Sequence, residues 1–494
     1  PLSNKNNKNV VTTQYDGNQL GNLGLLKMDF LGLRTLTVIE SAAAMIRAAG
    51  DKDFDIYRIP LDDKKTFDLL SEGRTTGVFQ LESDGMKKLV KSLKPSVFSD
   101  ISALVALYRP GPIQSGMLEL FVDRKHGRKK VVYDHQLMED ALRDTYGTMV
   151  YQEQVMEISK RLAGFTPGEA DGLRKAMGKK NAEAMEKMRL MFVDGCRKKD
   201  IPAKLAAKIY DDMAKFAGYG FNKSHSVAYA LVAYQTAWLK ANFPAEFMAS
   251  LLTSEIGHSP VDEEGGKENK IVTYVEEAQE MGLEVLGPDI NASGPVFSLE
   301  KKDGKTALRF AMTAIKNVGE GVVQEIASER EKNGPFKNVS DLVCRMEGRQ
   351  LNKRVLESAA KAGAFDSFFK DPRTEERRAR GLAAAEKAAG SLSKPKKACD
   401  EAQDMLFGAD SLVQKDTSAD GPAPALSEHD LLKNEKEVLG FYLSGHPLTS
   451  LRRRMSMLTT ASVEKVSGGV YKKGAAVRLG GMILQVKNIT TKKG

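Results

Sequence analysis

The sequence has 494 residues, 28% of them charged and 41% hydrophobic, with a formal charge of +9. At about 150 residues per domain this length allows roughly two to four domains, and the basic excess favours a polyanionic partner through counterion release and field focusing. Three cysteines, Cys196, Cys344 and Cys399, show no C-x-x-C spacing and no neighbouring histidine cluster, which excludes a disulfide framework and a zinc site and points to a reducing cytosol; no apolar run nears the ~18 residues of a membrane span.

The start, PLSNKNNKNV, is polar, lacks a signal peptide's apolar region and begins at Pro1 rather than Met, so the chain is expected to be a fragment. Residues 1–34 read as short strands ending in LLKMDFLGL. There Asp29 stands two residues after Lys27 and runs into Phe30, Leu31, Gly32 and Leu33. Alone it is either a helix N-cap or buried acid answered by Lys27, or one ligand of a hard divalent cation. Two-metal phosphoryl transfer needs several carboxylates around ions ~4 Å apart, which one Asp does not supply. From Leu36 the spacing of Leu36, Ile39, Ala43 and Ile46 predicts an amphipathic helix stopped by Gly50. In DKDFDIYRIP, Asp53 and Asp55 alternate as a strand-borne metal pair would, yet the flanking Lys52, Arg58 and Pro60 suit a solvated connection.

Helical patterns dominate to about residue 285, interrupted by YRPGPIQSG (108–116) and AGYGFNKSHS (217–226). Between residues 174 and 199 nine Lys or Arg stand against three acids, a basic face. Arg174 and Lys175, with Lys179 and Lys180 at helical spacing, form either a solvated surface or a triphosphate clamp in which Arg gives bidentate contacts and Lys a point charge. The 217–226 loop offers Lys223, Ser224 and His225 as phosphate donors. The helix behind it carries Tyr229, Tyr234 and Trp238, aromatics that suit a core more often than a base-stacking platform. Arg109, ahead of two prolines, is a rigidly presented cation or a plain turn residue. No P-loop ending in G-K-[ST] occurs.

The stretch around 286–300, LGPDINASGPVF, reads as a connection between domains. In AIKNVGEGVVQEIA (314–327), apolar positions flank Gly319 and Gly321. This is either an ordinary αα turn or a helix-hairpin-helix whose backbone N–H groups meet a DNA phosphate, and Lys316 beside it favours DNA. Residues 371–426 shift to a solvated helix and flexible linker, in which QDMLF (403–407) is an apolar anchor suited to docking. The last residues, AAVRLGGMILQVKNITTKKG, suggest the first strands of a β-domain that ends before it closes. The fold class expected is mainly α with α+β elements.

In order along the chain, LLKMDFLGLRTL, TTGVFQLESDGMKKL, ALVALYRPGP, TYGTMVYQEQVM, LRKAMGKK, FAGYGFNKSHSVAYALVAYQTAWLKANFPAEFM, PDIN and EVLGFYLSGHPL resemble the family of bacterial replicative DNA polymerase III alpha subunits, the family C polymerases. The resemblance implies a palm remnant at 1–34, helical fingers at 35–285, a helix-hairpin-helix region at 286–370, a linker with a clamp-binding peptide at 371–426, a helical connector at 427–454 and the start of an OB β-barrel at 455–494. Asp29 resembles the third carboxylate of a palm triad holding two Mg²⁺, with Lys27 beside the primer terminus or triphosphate. The other two carboxylates belong to a P-D-x-D-x-D-F string absent from this sequence, and the PHP domain, the first part of the palm and the thumb are expected to be missing too.

By the same resemblance Arg174 and Lys175 meet the incoming dNTP, where many relatives carry two arginines. Arg109, Lys179, Lys180, Lys223, Ser224 and His225 line the same cleft. Lys316, Gly319 and Gly321 contact DNA, and Gln403, Asp404, Met405, Leu406 and Phe407 bind the sliding clamp. The implied partners are primer-template DNA, dNTP, the clamp, and the clamp loader and proofreading subunits of a replicase in the bacterial cytoplasm, with no membrane. The expectation is part of a DNA-directed DNA polymerase, inactive alone. Its competitors are a non-catalytic DNA-binding and clamp-tethering protein and a nuclease built on Asp29, Asp53 and Asp55.

Overall fold

Short polar side chains at the heads of apolar-periodic segments start several helices. Asp63 accepts from Thr66 N–H to open Lys64–Ser71, Ser83 accepts from Met86 N–H to open Asp84–Leu93, and Asn222 accepts from His225 N–H to open the long helix Lys223–Asn242. Pro244, at the first position of Pro244–Glu255, separates that helix from the one before it. The structure, a computed structural model, describes residues 2–4, 7–28, 30–178, 182–217, 219–258, 269–346, 351–391, 424–467 and 469–482. Asp29, Lys179, Lys180 and the 403–407 peptide lie outside them.

Three apolar cores organise the described helices. The first joins Lys64–Ser71, Asp84–Leu93, Phe98–Leu107 and Met117–Lys125 to the middle of Lys223–Asn242 through Leu70, Leu93, Ile101, Phe121 and Tyr234. The second is built by Gln152–Ala163, Pro167–Gly178, Ala182–Arg197 and Ala203–Ala217 around Ile158, Leu173, Phe192 and Met213. The third runs from Ile39 through Phe247, Phe297, Phe310 and Phe365 to Phe441. Its first helix, Arg34–Ala48, begins two residues before Leu36; it buries Val38, Ile39, Ala42, Ala43 and Ile46 and leaves Leu36 half exposed.

Two stretches, one expected to connect domains and one expected to be a solvated helix and linker, carry packed segments. Between strands Glu284–Leu286 and Ser298–Lys302, Ile290 and Phe297 are buried, and Ile290 N–H donates to Ala364 O at 2.9 Å. Strand Lys305–Arg309 pairs parallel with 284–286 and antiparallel with 298–302, so the Pro, Gly and Asn of 286–300 mark turns inside a unit. In the supposed 371–426 linker, helix Thr374–Ser391 seats Ala385 and Ala388 in the third core. Small side chains let this helix approach closely, and its buried Arg378 is answered by Asp366 at 3.1 Å, Glu435 at 3.3 Å and Lys361 O at 2.7 Å.

Asp55 caps the 3₁₀ turn Ile56–Arg58 by accepting from Tyr57 N–H, and it pairs with Arg58, so Asp53 and Asp55 sit in a turn rather than on a strand. At the other end, helices Arg452–Leu458 and Val463–Ser467 form, but residues 469–482 contain no strand, so the expected β-domain onset is not formed among the described residues. No helix among them is long and apolar enough to cross a membrane.

Candidate nucleotide and nucleic-acid interface

Helices Gln152–Ala163 and Lys223–Asn242 begin side by side. Gln152 N–H donates to Phe221 O at 2.9 Å and Phe221 N–H to Val150 O at 3.3 Å, a parallel bridge between Tyr151 and Phe221. Beneath it Tyr151 Oη and Ser102 Oγ lie 2.9 Å apart, and Ser226 Oγ donates to Ser102 O at 2.6 Å. Burial pushes the Tyr151 phenol up to about 12, so this buried knot stays neutral. The Glu153 carboxylate accepts from Lys223 N–H at 2.9 Å and from the Asn222 amide at 2.8 Å, filling a donor that the helix start leaves without an intrahelical partner.

Over this frame stand four residues named from sequence. Lys223 Nζ lies 5.7 Å from the Tyr151 ring centroid, and Ser224 and His225 are exposed. The Arg109 guanidinium lies 4.5 Å over the Phe221 ring and donates to Ala106 O at 2.8 Å and Tyr219 O at 2.6 Å, so part of its donor fork holds the loop. From Phe221 a row of rings continues to His225 at 5.4 Å, Tyr229 at 4.2 Å and Phe79 at 5.4 Å. No expectation from sequence named this row, although His225 and Tyr229, four apart, share a face of Lys223–Asn242 and Phe221 stands just ahead of its Asn222 cap. Tyr234 is core: its hydroxyl donates to Pro60 O at 2.7 Å and accepts from Asp63 N–H.

Arg174 and Lys175 ride on Pro167–Gly178, over the second core, and share Asp171: Arg174 Nη2 and Lys175 Nζ each stand 2.8 Å from its carboxylate. Lys27 is exposed, with Leu26, Phe30 and Leu31 around it also exposed, and Asp29 falls outside the described residues. Among those residues no three His, Cys, Asp or Glu side chains converge as a metal site.

The 314–327 segment turns as a hairpin. A 3₁₀ turn, Met312–Ala314, precedes Asn317 at φ +67°, and Gly319 caps helix Glu320–Asn333. Lys316 N–H donates to Val438 O at 2.9 Å, docking the turn on helix Glu428–Leu439. Gly319 and Gly321 are exposed, and a Cβ at Gly319 would meet nothing within 4 Å, so the backbone there is open to close approach. Glu320 places a negative charge in that first turn and accepts from Gln324 Nε2 at 2.8 Å.

Comparison with known proteins gives this geometry its context. Residues 35–200 match the bacterial DNA polymerase III alpha subunit finger domain, and residues 282–376 match a helix-hairpin-helix motif. The chain is similar to DNA polymerase III subunit alpha of Aquifex aeolicus (44% identical), Vibrio cholerae (41%) and Escherichia coli K12 (42%), in each case over 98% of its own length. It spans 38% of the Aquifex protein and 41% of the other two. Along nearly its whole length, then, the chain is similar to part of bacterial DNA polymerase III alpha subunits, with a match to their finger domain at 35–200 and to a helix-hairpin-helix motif at 282–376.

Proposed function

We propose that this chain is the part of a replicative DNA-directed DNA polymerase that binds the incoming dNTP and the primer-template DNA. The observation that carries the reading is the 41–44% identity to alpha subunits over 98% of the chain. Donors at three places agree with it. Arg174 and Lys175 take triphosphate oxygens, with Lys179 and Lys180 nearby in sequence. Arg109, Lys223, Ser224 and His225 line the nucleotide and template cleft beside the row of rings, and the open backbone at Gly319 and Gly321, next to Lys316, meets a DNA phosphate. The reaction of the whole enzyme is attack of a primer 3′ oxygen on the dNTP α-phosphate, expelling pyrophosphate.

Two Mg²⁺ ions are the cofactor this reading implies, with Asp29 as one ligand and Lys27 beside the reacting groups. The described residues do not by themselves fit such a pair, because no three potential ligands converge among them and Asp29 lies outside them. The share of the reaction assigned to those residues is binding and orientation. In the same reading Gln403, Asp404, Met405, Leu406 and Phe407 dock on the sliding clamp, raising effective concentration on DNA. The clamp loader and proofreading subunits attend the enzyme in the bacterial cytoplasm.

Fluorescence anisotropy of a labelled primer-template duplex with the 494-residue chain tests the reading. Submicromolar binding at low salt, weakening steeply as salt rises and weakening on Arg109→Ala with Lys223→Ala, is the expected result. Absence of duplex binding, or binding indifferent to both changes, overturns it.

A further inference from the structure

Both cations assigned to the triphosphate are already engaged. Asp171, one turn earlier on the same helix, sets one oxygen 2.9 Å from Arg174 Nε and 2.8 Å from Nη2, and the other 2.8 Å from Lys175 Nζ. A carboxylate that receives two donors of a guanidinium fork and one ammonium takes the directions that two phosphate oxygens take. The three side chains are 34–62% exposed, so a solute reaches them from solvent. Bonds from Lys175 and Arg174 hold the Asp171 carboxyl below the usual carboxylate range, which keeps it ionised at neutral pH.

We infer that Asp171 is a place-holder for the substrate: in the nucleotide-free chain its carboxylate occupies the Arg174 and Lys175 donors that a triphosphate must take, and it has to be displaced before the triphosphate binds. The inference rests on reading those two cations as the triphosphate site. Its consequence is a threshold for anion capture. A small monovalent anion offers the cations no more charge than Asp171 already supplies and gains little by displacing it. A triphosphate brings several charges and enough oxygens to bridge both cations at once. The carboxylate also keeps the Arg and Lys side chains ordered in a shared geometry, so part of their ordering entropy is spent before substrate arrives.

Isothermal titration of the 494-residue chain with sodium tripolyphosphate at low ionic strength tests this. It compares wild type, Asp171→Asn, Asp171→Ala, the double change Arg174→Ala with Lys175→Ala, and that double change combined with Asp171→Asn. Circular dichroism checks that each variant folds; Asn keeps the shape of Asp and removes its charge. Two exposed pairs released together account for about three- to tenfold tighter binding by Asp171→Asn. The gain should shrink at high salt and vanish when both cations are absent. Wild-type binding that both Asp171 variants leave unchanged or weaken overturns the place-holder role alone. Absence of binding by every form, or binding that survives loss of both cations, overturns the nucleotide reading and the place-holder with it.

Discussion

Replacing Lys240 by Met tests whether one buried ammonium fixes the 74–77 loop against helices Lys223–Asn242 and Lys270–Glu280. Lys240 Nζ donates to Arg74 O and Thr76 O, each at 2.8 Å, and pairs with Glu277 at 2.6 Å. Its side chain is wholly buried, whereas that of Glu277 keeps 13% exposure. Burial pulls the Lys240 ammonium below its ordinary value, and the charge and hydrogen bond of Glu277 pull it back. Met fills the same space without a donor, leaving two carbonyls and a carboxylate unanswered. Breaking a buried pair from one side costs about 3–5 kcal/mol, and water reaching Glu277 trims this, so a loss of about 3–4 kcal/mol is expected. Urea unfolding followed by circular dichroism, with hydrogen exchange read at residues 74–82, measures it. Lys240→Met with Glu277→Leu should recover part of the loss, because no charge is then stranded. A single-variant loss below about 1 kcal/mol, or a double variant losing the sum of both changes, refutes the reasoning.

Three other outcomes follow from the same geometry. Burial would raise the Glu82 carboxyl, but bonds from Lys270 at 2.8 Å, the Tyr274 hydroxyl at 3.0 Å and Gly77 N–H at 3.3 Å outweigh it and hold the group below its ordinary value of 4.5. A carboxyl lowered in the folded state stabilises above its unfolded value and loses that contribution as pH falls through the folded one. Acid titration should therefore show wild type losing stability below about pH 4.5 more steeply than Glu82→Gln. Gly195→Ala should destabilise the second core by about 2 kcal/mol or more in denaturant, since its Cβ would fall on the Ala163 carbonyl with Ala163 Cα only 3.0 Å away, and backbone does not yield. Burial pushes the Cys196 thiol up to about 11, so a thiol reagent should label exposed Cys344 far faster than Cys196 in the native chain; equal rates would contradict the packing of Cys196.

The helix at 34–48 was legible because Ile39, Ala43 and Ile46 repeat at helical spacing, and the cationic loop because Lys223, Ser224 and His225 are adjacent in sequence. What escaped was tertiary. Ala385 and Ala388 look like the filler of a solvated helix, yet alanine is what allows a helix to close on a core, and nothing local announces that Glu435 will answer Arg378. Lys240 sits in WLKAN like the polar end of an amphipathic helix, and its burial depends on carbonyls 164 and 166 residues away. Sequence leaves Arg109 as a rigidly presented cation or a turn residue, and only the fold brings its guanidinium to Tyr219 O, 110 residues on, as well as to the neighbouring Ala106 O. Asp171 was passed over because an acid three and four residues before two cations is the commonest helix-surface pattern.

Primer extension by a mixture of this chain and a polypeptide bearing the P-D-x-D-x-D-F string, with Mg²⁺ and the four dNTPs, tests the polymerase assignment most directly. Templated extension that needs both polypeptides and falls about a hundredfold when Arg174 and Lys175 are both changed to Ala is the expected result. Extension that proceeds equally well without those two side chains would contradict it.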